Sequence, residues 1–264
     1  MNTGTRAAWA PPRPQSNGEV LDTVFRLFLA TVVKCLPYGL AAMLLLLAPV
    51  LYDLTLRVDT RGPRAADPIW WLFSFASSIG VFASLSAIVL RQTAMLRKEP
   101  VSMRRELSDV LRRLPGLTLL FTLSLVVIGA GLAALILPGI YLAIALAPSL
   151  PSLLLEERDA IGAMRESLRL TRRNWLRTFL VLAVSFVISL ALVLSAAIVT
   201  ATIVQPLIGG DLARTAAVML AVALMMLALA APLFGSLLIA IYGNLRVRRG
   251  ALDLEQRIAT LPEA

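Results

Sequence analysis

Apolar runs long enough to cross a bilayer alternate with short charged stretches along nearly the whole chain. A transmembrane helix needs about 20 mostly apolar residues. Residues 35–52 form one such run, ended by Asp53, and 69–90 form a second, ended by Arg91. No charged residue occurs between 114 and 155. That stretch is about twice one span, so it predicts a hairpin of two spans, 115–133 and 137–155. Its turn is expected near Gly129, Gly131, Pro138 and Gly139, where helix breakers gather. A fifth run lies within 178–204, before Gln205-Pro206 and Gly209-Gly210, and a sixth covers 215–243. The pattern therefore predicts an all-α fold, a polytopic transmembrane helix bundle of about six spans within a membrane domain at 19–245. Residues 1–18, polar and carrying Pro11, Pro12 and Pro14, read as a disordered tail with no cleavable signal, and 246–264 as a second tail.

The stretches between the spans have a pattern of their own. In 19–36 the apolar residues Leu21, Val24, Phe25, Phe28, Val32 and Leu36 recur at helical spacing. In 103–114 the stripe is Met103, Leu107, Val110 and Leu114, with Arg104, Arg105, Arg112 and Arg113 around it. In 159–177 it is Ile161, Met164, Leu168 and Trp175, with Thr171 in the gap and Arg165, Arg169, Arg172 and Arg173 off the stripe. Basic amphipathic helices of this kind lie in the membrane interface. Each precedes a span, which predicts three repeats of an interfacial elbow helix followed by a two-span hairpin, over about 19–92, 100–156 and 159–245.

Composition agrees with lipid as the solvent: 58% of the 264 residues are hydrophobic and 16% are charged, and the mean hydropathy is +0.81. The charge of +9 then fixes an expected orientation. With the N-terminus inside, the outer loops hold only Arg57, Arg61, Arg64 and Arg214 of the 25 Lys and Arg. Asp53, Asp59, Asp67 and Asp211 balance them. The excess is thus all on one side, as the positive-inside rule requires of the cytoplasm. Both termini are expected in the cytoplasm of a bacterium, with the chain in the inner membrane. A charge so distributed points to anionic lipid headgroups at the cytoplasmic face and not to nucleic acid.

The chemistry available is limited. There is no histidine and one cysteine, Cys35, which removes histidine-based catalysis, the paired-histidine zinc motif and any cysteine metal cluster. No catalytic set, cofactor or metal site is expected, and the chain does not read as an enzyme. Glu156 and Glu157 are adjacent, but neighbours on a helix diverge, so ion pairs to nearby arginines are preferred over an acid/base dyad. No span interior carries a clear ionisable residue, which speaks against an ion-coupled pump. Ala76, Gly80 and Ser84 recur every fourth residue, as close helix packing requires. Pro148 and Pro151 make the fourth span a candidate hinge, although a kink tolerated between neighbouring helices accounts for them too. Arg165, Arg169, Arg172, Arg173 and Arg177, with Trp175, are candidate contacts for anionic headgroups, since guanidinium groups clamp phosphates.

The stretch Leu155-Glu156, Ala163-Met164-Arg165-Glu166-Ser167-Leu168-Arg169-Leu170-Thr171 and Asn174-Trp175 resembles a motif of uncharacterised bacterial inner-membrane proteins. It is also similar to the membrane domain fused to some glycerophosphoryl diester phosphodiesterases. Gly18-Glu19-Val20-Leu21-Asp22 and Leu245-Arg246-Val247-Arg248, with Gly250 and Leu252-Asp253-Leu254, resemble that family's ends. Gly243-Asn244 and Arg249 depart from it, standing where an aromatic-acidic pair and an acid are usual. The resemblance implies six spans in the inner membrane and no reaction, because the phosphodiesterase activity belongs to a separate soluble domain. The leading expectation is a non-enzymatic protein that organises lipid or partner proteins through its basic cytoplasmic face. The alternative is a transporter or flippase for a lipid-like substrate.

Overall fold

The computed structural model describes residue 11 and residues 13–55, 67–204 and 212–259. Among the described residues eight α-helices follow one another: α1 (Asn17–Thr55), α2 (Pro68–Leu96), α3 (Met103–Ala134), α4 (Ile136–Leu146), α5 (Ser149–Glu156), α6 (Ala160–Thr171), α7 (Trp175–Val199) and α8 (Leu212–Ala259). A π-helical turn, Thr200–Val204, prolongs α7. No strand occurs among the described residues. Six stretches of these helices are long and apolar enough to cross a membrane, with α4 and α5 together making the fourth. The outer-loop charges Arg57, Asp59, Arg61, Arg64 and Asp211 lie outside the described residues.

The spans run up and down. Gly80 of α2 packs on Leu45 of α1, while Gln92, further along α2, reaches back to Thr31, so α1 and α2 are antiparallel. Phe121 of α3 meets Phe75 and Phe82 of α2. One extended residue, Leu135, turns α3 into α4, and there a Cβ on Gly131 would stand 3.0 Å from the Gly139 Cα. The α2–α3 and α5–α6 connections and the start of α1 share one end of the bundle, the basal end.

Two of the three expected elbows are not separate helices. Residues 19–36 and 103–114 continue directly into their spans as the lower parts of α1 and α3, running through Pro37 and Pro115. A proline removes one ladder hydrogen bond but need not end a long helix packed on neighbours. Only the third elbow, α6, stands alone.

The buried faces are also rotated from the apolar stripes. In α1 the buried residues are Val20, Val24, Leu27, Thr31, Cys35, Tyr38 and Ala42, and of the expected stripe only Val24 is among them. In α3 Glu106, Val110, Leu117 and Leu120 are buried, whereas Met103, Leu107 and Leu111 are exposed. In α6 the inward residues are Ala160, Ala163, Ser167, Leu170 and Thr171, and Ile161 faces outward. The reason is that lipid accepts large apolar side chains as well as a core does, so apolar spacing alone does not tell the packed face from the lipid face.

The fourth span breaks between Leu146 and Ser149 at the buried Pro148, and Pro151 follows in the first turn of α5. The carbonyls freed there are recaptured. Ser149 Oγ donates to Leu146 O at 2.6 Å, and Ser167 Oγ of α6 donates to Ala145 O at 2.7 Å. Alanines 160 and 163 let α6 come close enough for that bond.

Candidate functional site: a polar layer at the basal end

Contrary to expectation, ionisable residues are buried where α1, α2 and α3 meet. Arg91, expected only to close the second span, and Glu106 form an ion pair with Nε–Oε2 at 2.8 Å and side chains 9% and 8% exposed. The Tyr38 hydroxyl donates to the same Glu106 oxygen at 2.6 Å. A second Arg91 nitrogen donates to the Lys34 carbonyl, and its guanidinium lies 4.8 Å over the Tyr38 ring. A buried pair is tolerated when further hydrogen bonds satisfy both partners. Glu106 was legible, because it shares a helical face with Val110, Leu117 and Leu120. Its exposed-looking neighbours, Arg104 and Arg105, masked it.

Beside this pair Gln92 joins three helices. Its Nε2 lies 3.1 Å from Thr31 Oγ1, 2.9 Å from Pro232 O and 2.9 Å from Ser236 Oγ. The two hydroxyls already donate elsewhere, Thr31 to Leu27 O and Ser236 to Pro232 O, so they can only accept from Gln92. Pro232 also leaves the Ala228 carbonyl without its usual i+4 donor. Gly39 of α1 sits against that carbonyl so closely that a Cβ there would stand 2.1 Å from the oxygen.

Lower in the layer, carboxylates and arginines pair. Glu156 accepts from Arg158 Nε at 2.7 Å, from the Tyr242 hydroxyl and from Arg246. Glu157 turns away from it, in the left-handed region at φ 53°, to pair with Arg113 at 2.7 Å. Glu166 takes Arg249 at 3.1 Å and Arg158 at 3.9 Å. The hydrogen-bonded Glu156 carboxylate raises the Arg158 pKa above its ordinary value. Glu156 and Glu157 thus form no dyad, each being held by a different set of arginines. Residues 13–16, expected as part of a disordered tail, are tied to this layer: the Gln15 backbone N–H donates to Asn244 Oδ1 at 2.9 Å, and Arg248 donates to the Gln15 carbonyl.

Arg165, Arg169, Arg172 and Arg173 are exposed. Among the described residues none of the four has an ion-pair partner, in contrast to Arg158, Arg246 and Arg249 beside them. Arg177, half-buried, lies near Arg248. Trp175 does not join the arginines. It stacks between Tyr141 and Phe179, with ring centroids 5.7 and 5.5 Å away, and its ring N–H is buried. Among the described residues no group of three or more histidine, cysteine, aspartate or glutamate side chains is placed to hold a metal ion.

Higher in the bundle a cavity of about 550 Å³ opens between α1, α2, α7 and α8. Its walls include Ala42, Leu46, Val81, Leu85, Phe186 and Phe234. Ala42 is midway between Lys34 and Asp53, the charges that bound the first span. Ser185 and Ser189 are the hydroxyls on its wall, and the Ser189 hydroxyl donates to the Ser185 carbonyl within its own helix at 2.9 Å.

A family described as a domain of unknown function, DUF7847, matches residues 72–245. The chain belongs to that family. The DUF7847 match takes in Arg91, Gln92, Glu106, the Pro148 break and the arginines of α6. Tyr38, Thr31 and Gly39, which α1 brings to the same layer, precede it. No curated protein and no solved structure matches the chain.

Proposed function

We propose that this DUF7847 protein is a non-enzymatic inner-membrane protein that gathers anionic lipid headgroups on a cytoplasmic basal face. The observation that carries the reading is the surplus of guanidinium groups on α6 and the two residues after it. Glu156, Glu157 and Glu166 are already engaged by Arg158, Arg246, Arg113 and Arg249, whereas Arg165, Arg169, Arg172 and Arg173 point outward without a carboxylate among the described residues. Each basic residue near an anionic surface contributes about 1 kcal/mol. The clustering of basic residues at the basal end supports a cytoplasmic assignment for it. The resemblance to the membrane domain fused to glycerophosphoryl diester phosphodiesterases fits a role beside phospholipid and supplies no reaction.

Lipid analysis of the purified protein tests the reading. Wild type should co-purify with phosphatidylglycerol or another anionic lipid in excess over its share of the membrane. Arg169→Glu/Arg172→Glu/Arg173→Glu should lose that excess while remaining folded. An unchanged lipid profile in the variant rules the reading out.

A second reading, translocation of a lipid-like substrate, is favoured by the mid-span cavity and the Pro148 break. A lipid-scrambling assay in vesicles separates the two, because the organiser gives no flux above empty vesicles.

A further inference from the structure

Ser78, Ser86 and Ser189 each donate to the carbonyl four residues earlier, the usual way to satisfy a hydroxyl inside a span. Ser185 does not. Its hydroxyl has no hydrogen-bond partner among the described residues, although the residue is only 7% exposed. It lies on the wall of the mid-span cavity of about 550 Å³. Its oxygen is not sealed in protein as Ser152 Oγ and Glu106 Oε1 are. A hydroxyl left unmatched in apolar surroundings is costly unless something in the cavity accepts its hydrogen.

The rest of the wall narrows what that acceptor belongs to. Ser189 is the other hydroxyl there, and it is committed to the Ser185 carbonyl. The remaining lining residues are alanine, valine, leucine and phenylalanine, so a charged ligand would find no counter-charge. Leu233 and Leu237 are buried at the back, whereas Leu46, Phe186 and Phe234 are exposed. The cavity therefore opens sideways, at mid-span, toward lipid. Depth excludes the commonest carbonyls. Ser185 stands eight residues past Arg177 on α7, about 12 Å along the helix into a hydrocarbon core of about 30 Å. The ester carbonyls of a phospholipid are held at headgroup level by its phosphate, so an acceptor at this depth belongs to a molecule without charge. Phe186 and Phe234 at the mouth offer ring faces to a flat guest, and the volume lies within the roughly 300–1,000 Å³ of small-molecule sites. We infer that the cavity binds a membrane-dissolved quinone, a neutral ring with carbonyl acceptors on an apolar tail, and that Ser185 Oγ donates to one of its carbonyls. The inference concerns the cavity that favours the translocation reading but requires no flux, and it does not rest on the arginines at the end of α6.

The decisive comparison is between decylplastoquinone and decylbenzene, which share a ring and a tail but differ in the carbonyls. The full chain in detergent micelles is incubated with equal amounts of the two and captured by an affinity tag. Retained molecules are extracted, quantified by chromatography and corrected for empty micelles. The quinone should be retained roughly tenfold over the hydrocarbon, the ratio expected of one hydrogen bond made in apolar surroundings. Ser185→Ala should bring the ratio to near unity. Without ligand the same variant should unfold at no lower temperature than wild type, because it removes an unmatched hydroxyl. Val81→Phe, at a partly exposed position of the wall, should reduce retention of both molecules by narrowing the cavity. Equal retention of the two by wild type means a site for any hydrocarbon chain and overturns the inference. So does a quinone preference that survives Ser185→Ala, a loss of ligand-free stability in that variant, or retention unaffected by Val81→Phe. Arg169→Glu/Arg172→Glu/Arg173→Glu should leave the quinone-to-hydrocarbon ratio unchanged, which separates this site from the basic face.

Discussion

Removing the Glu106 carboxylate alone should destabilise the bundle more than removing the whole ion pair. In Glu106→Leu the Arg91 guanidinium stays at a position where its side chain is 9% exposed, with the Lys34 carbonyl and the Tyr38 ring as its remaining contacts. Taking one partner from a buried pair costs about 3–5 kcal/mol. The Tyr38 hydroxyl also loses its acceptor, so the expected total lies at the upper end, about 4–5 kcal/mol. In Arg91→Leu/Glu106→Leu no charge is left behind. Two neutral groups, the Tyr38 hydroxyl and the Lys34 carbonyl, lose partners at about 1 kcal/mol each. Two leucines fill much of the vacated volume, so the double variant should sit about 2 kcal/mol below wild type. Adding Arg91→Leu to Glu106→Leu should therefore recover at least about 2 kcal/mol, roughly thirtyfold in the folded-to-unfolded ratio. Equilibrium unfolding in mixed micelles, followed by helical circular dichroism, measures this. If the double variant loses the sum of the two single losses, the residues do not act as a buried pair and the basal layer described here is wrong.

Three further outcomes follow from single contacts. A Cβ on Gly39 would lie 2.1 Å from the Ala228 carbonyl oxygen, and carbon–oxygen contacts close to no less than about 3.3 Å. Gly39→Ala must then push α1 and α8 apart and should cost about 1–3 kcal/mol in thermal unfolding, whereas Gly18→Ala, with nothing within 4 Å, should be neutral or slightly stabilising. Ser167→Ala leaves the Ala145 carbonyl with only the longer Thr171 contact at 3.5 Å and should cost about 1–2 kcal/mol. In a Pro148→Ala background, where the helix ladder can re-form, the same Ser167→Ala should cost less, and an equal cost in both backgrounds would contradict the account of the break. Gln92→Leu, which leaves the size of the side chain nearly unchanged but removes its link between Thr31, Pro232 and Ser236, should lower the unfolding midpoint, whereas Gln92→Glu should lower it further by burying a charge.

The spans were legible because hydropathy is a local property. A run such as 69–90 needs no partner to be recognised, and the charge-free 114–155 stretch could only be a hairpin. The inward faces were not legible from apolar periodicity. In α1 and α3 the large apolar residues Leu29, Val33, Leu107 and Leu111 face outward, while Thr31 and Glu106 are buried among Leu27, Val110 and Leu117. Apolar residues on both faces hid the polar layer. Glu106 lies among arginines in sequence and reads as solvent charge, although its spacing from Val110 and Leu117 puts it on the packed side. The Gly39–Ala228 approach needs Pro232, almost 200 residues away, so no local pattern could announce it. The adjacent glutamates were read correctly as ion-pair partners, although they diverge because Glu157 leaves the helix in the left-handed region and not because both sit on one helix. The stacking of Trp175 on Tyr141 was not legible, because Tyr141 lies on a different helix.

The claim that the arginine cluster at the end of α6 meets lipid headgroups has a direct measure. Cys35 is the sole cysteine and is buried, so a Cys35→Ser background accepts one fluorophore at Arg172→Cys, beside Arg169 and Arg173. In nanodiscs, lipids carrying a spin label on the headgroup should quench it strongly, lipids labelled at the chain end should not, and raising the phosphatidylglycerol fraction should strengthen the headgroup quenching. Equal quenching by both labels, or headgroup quenching that ignores lipid charge, would contradict the account.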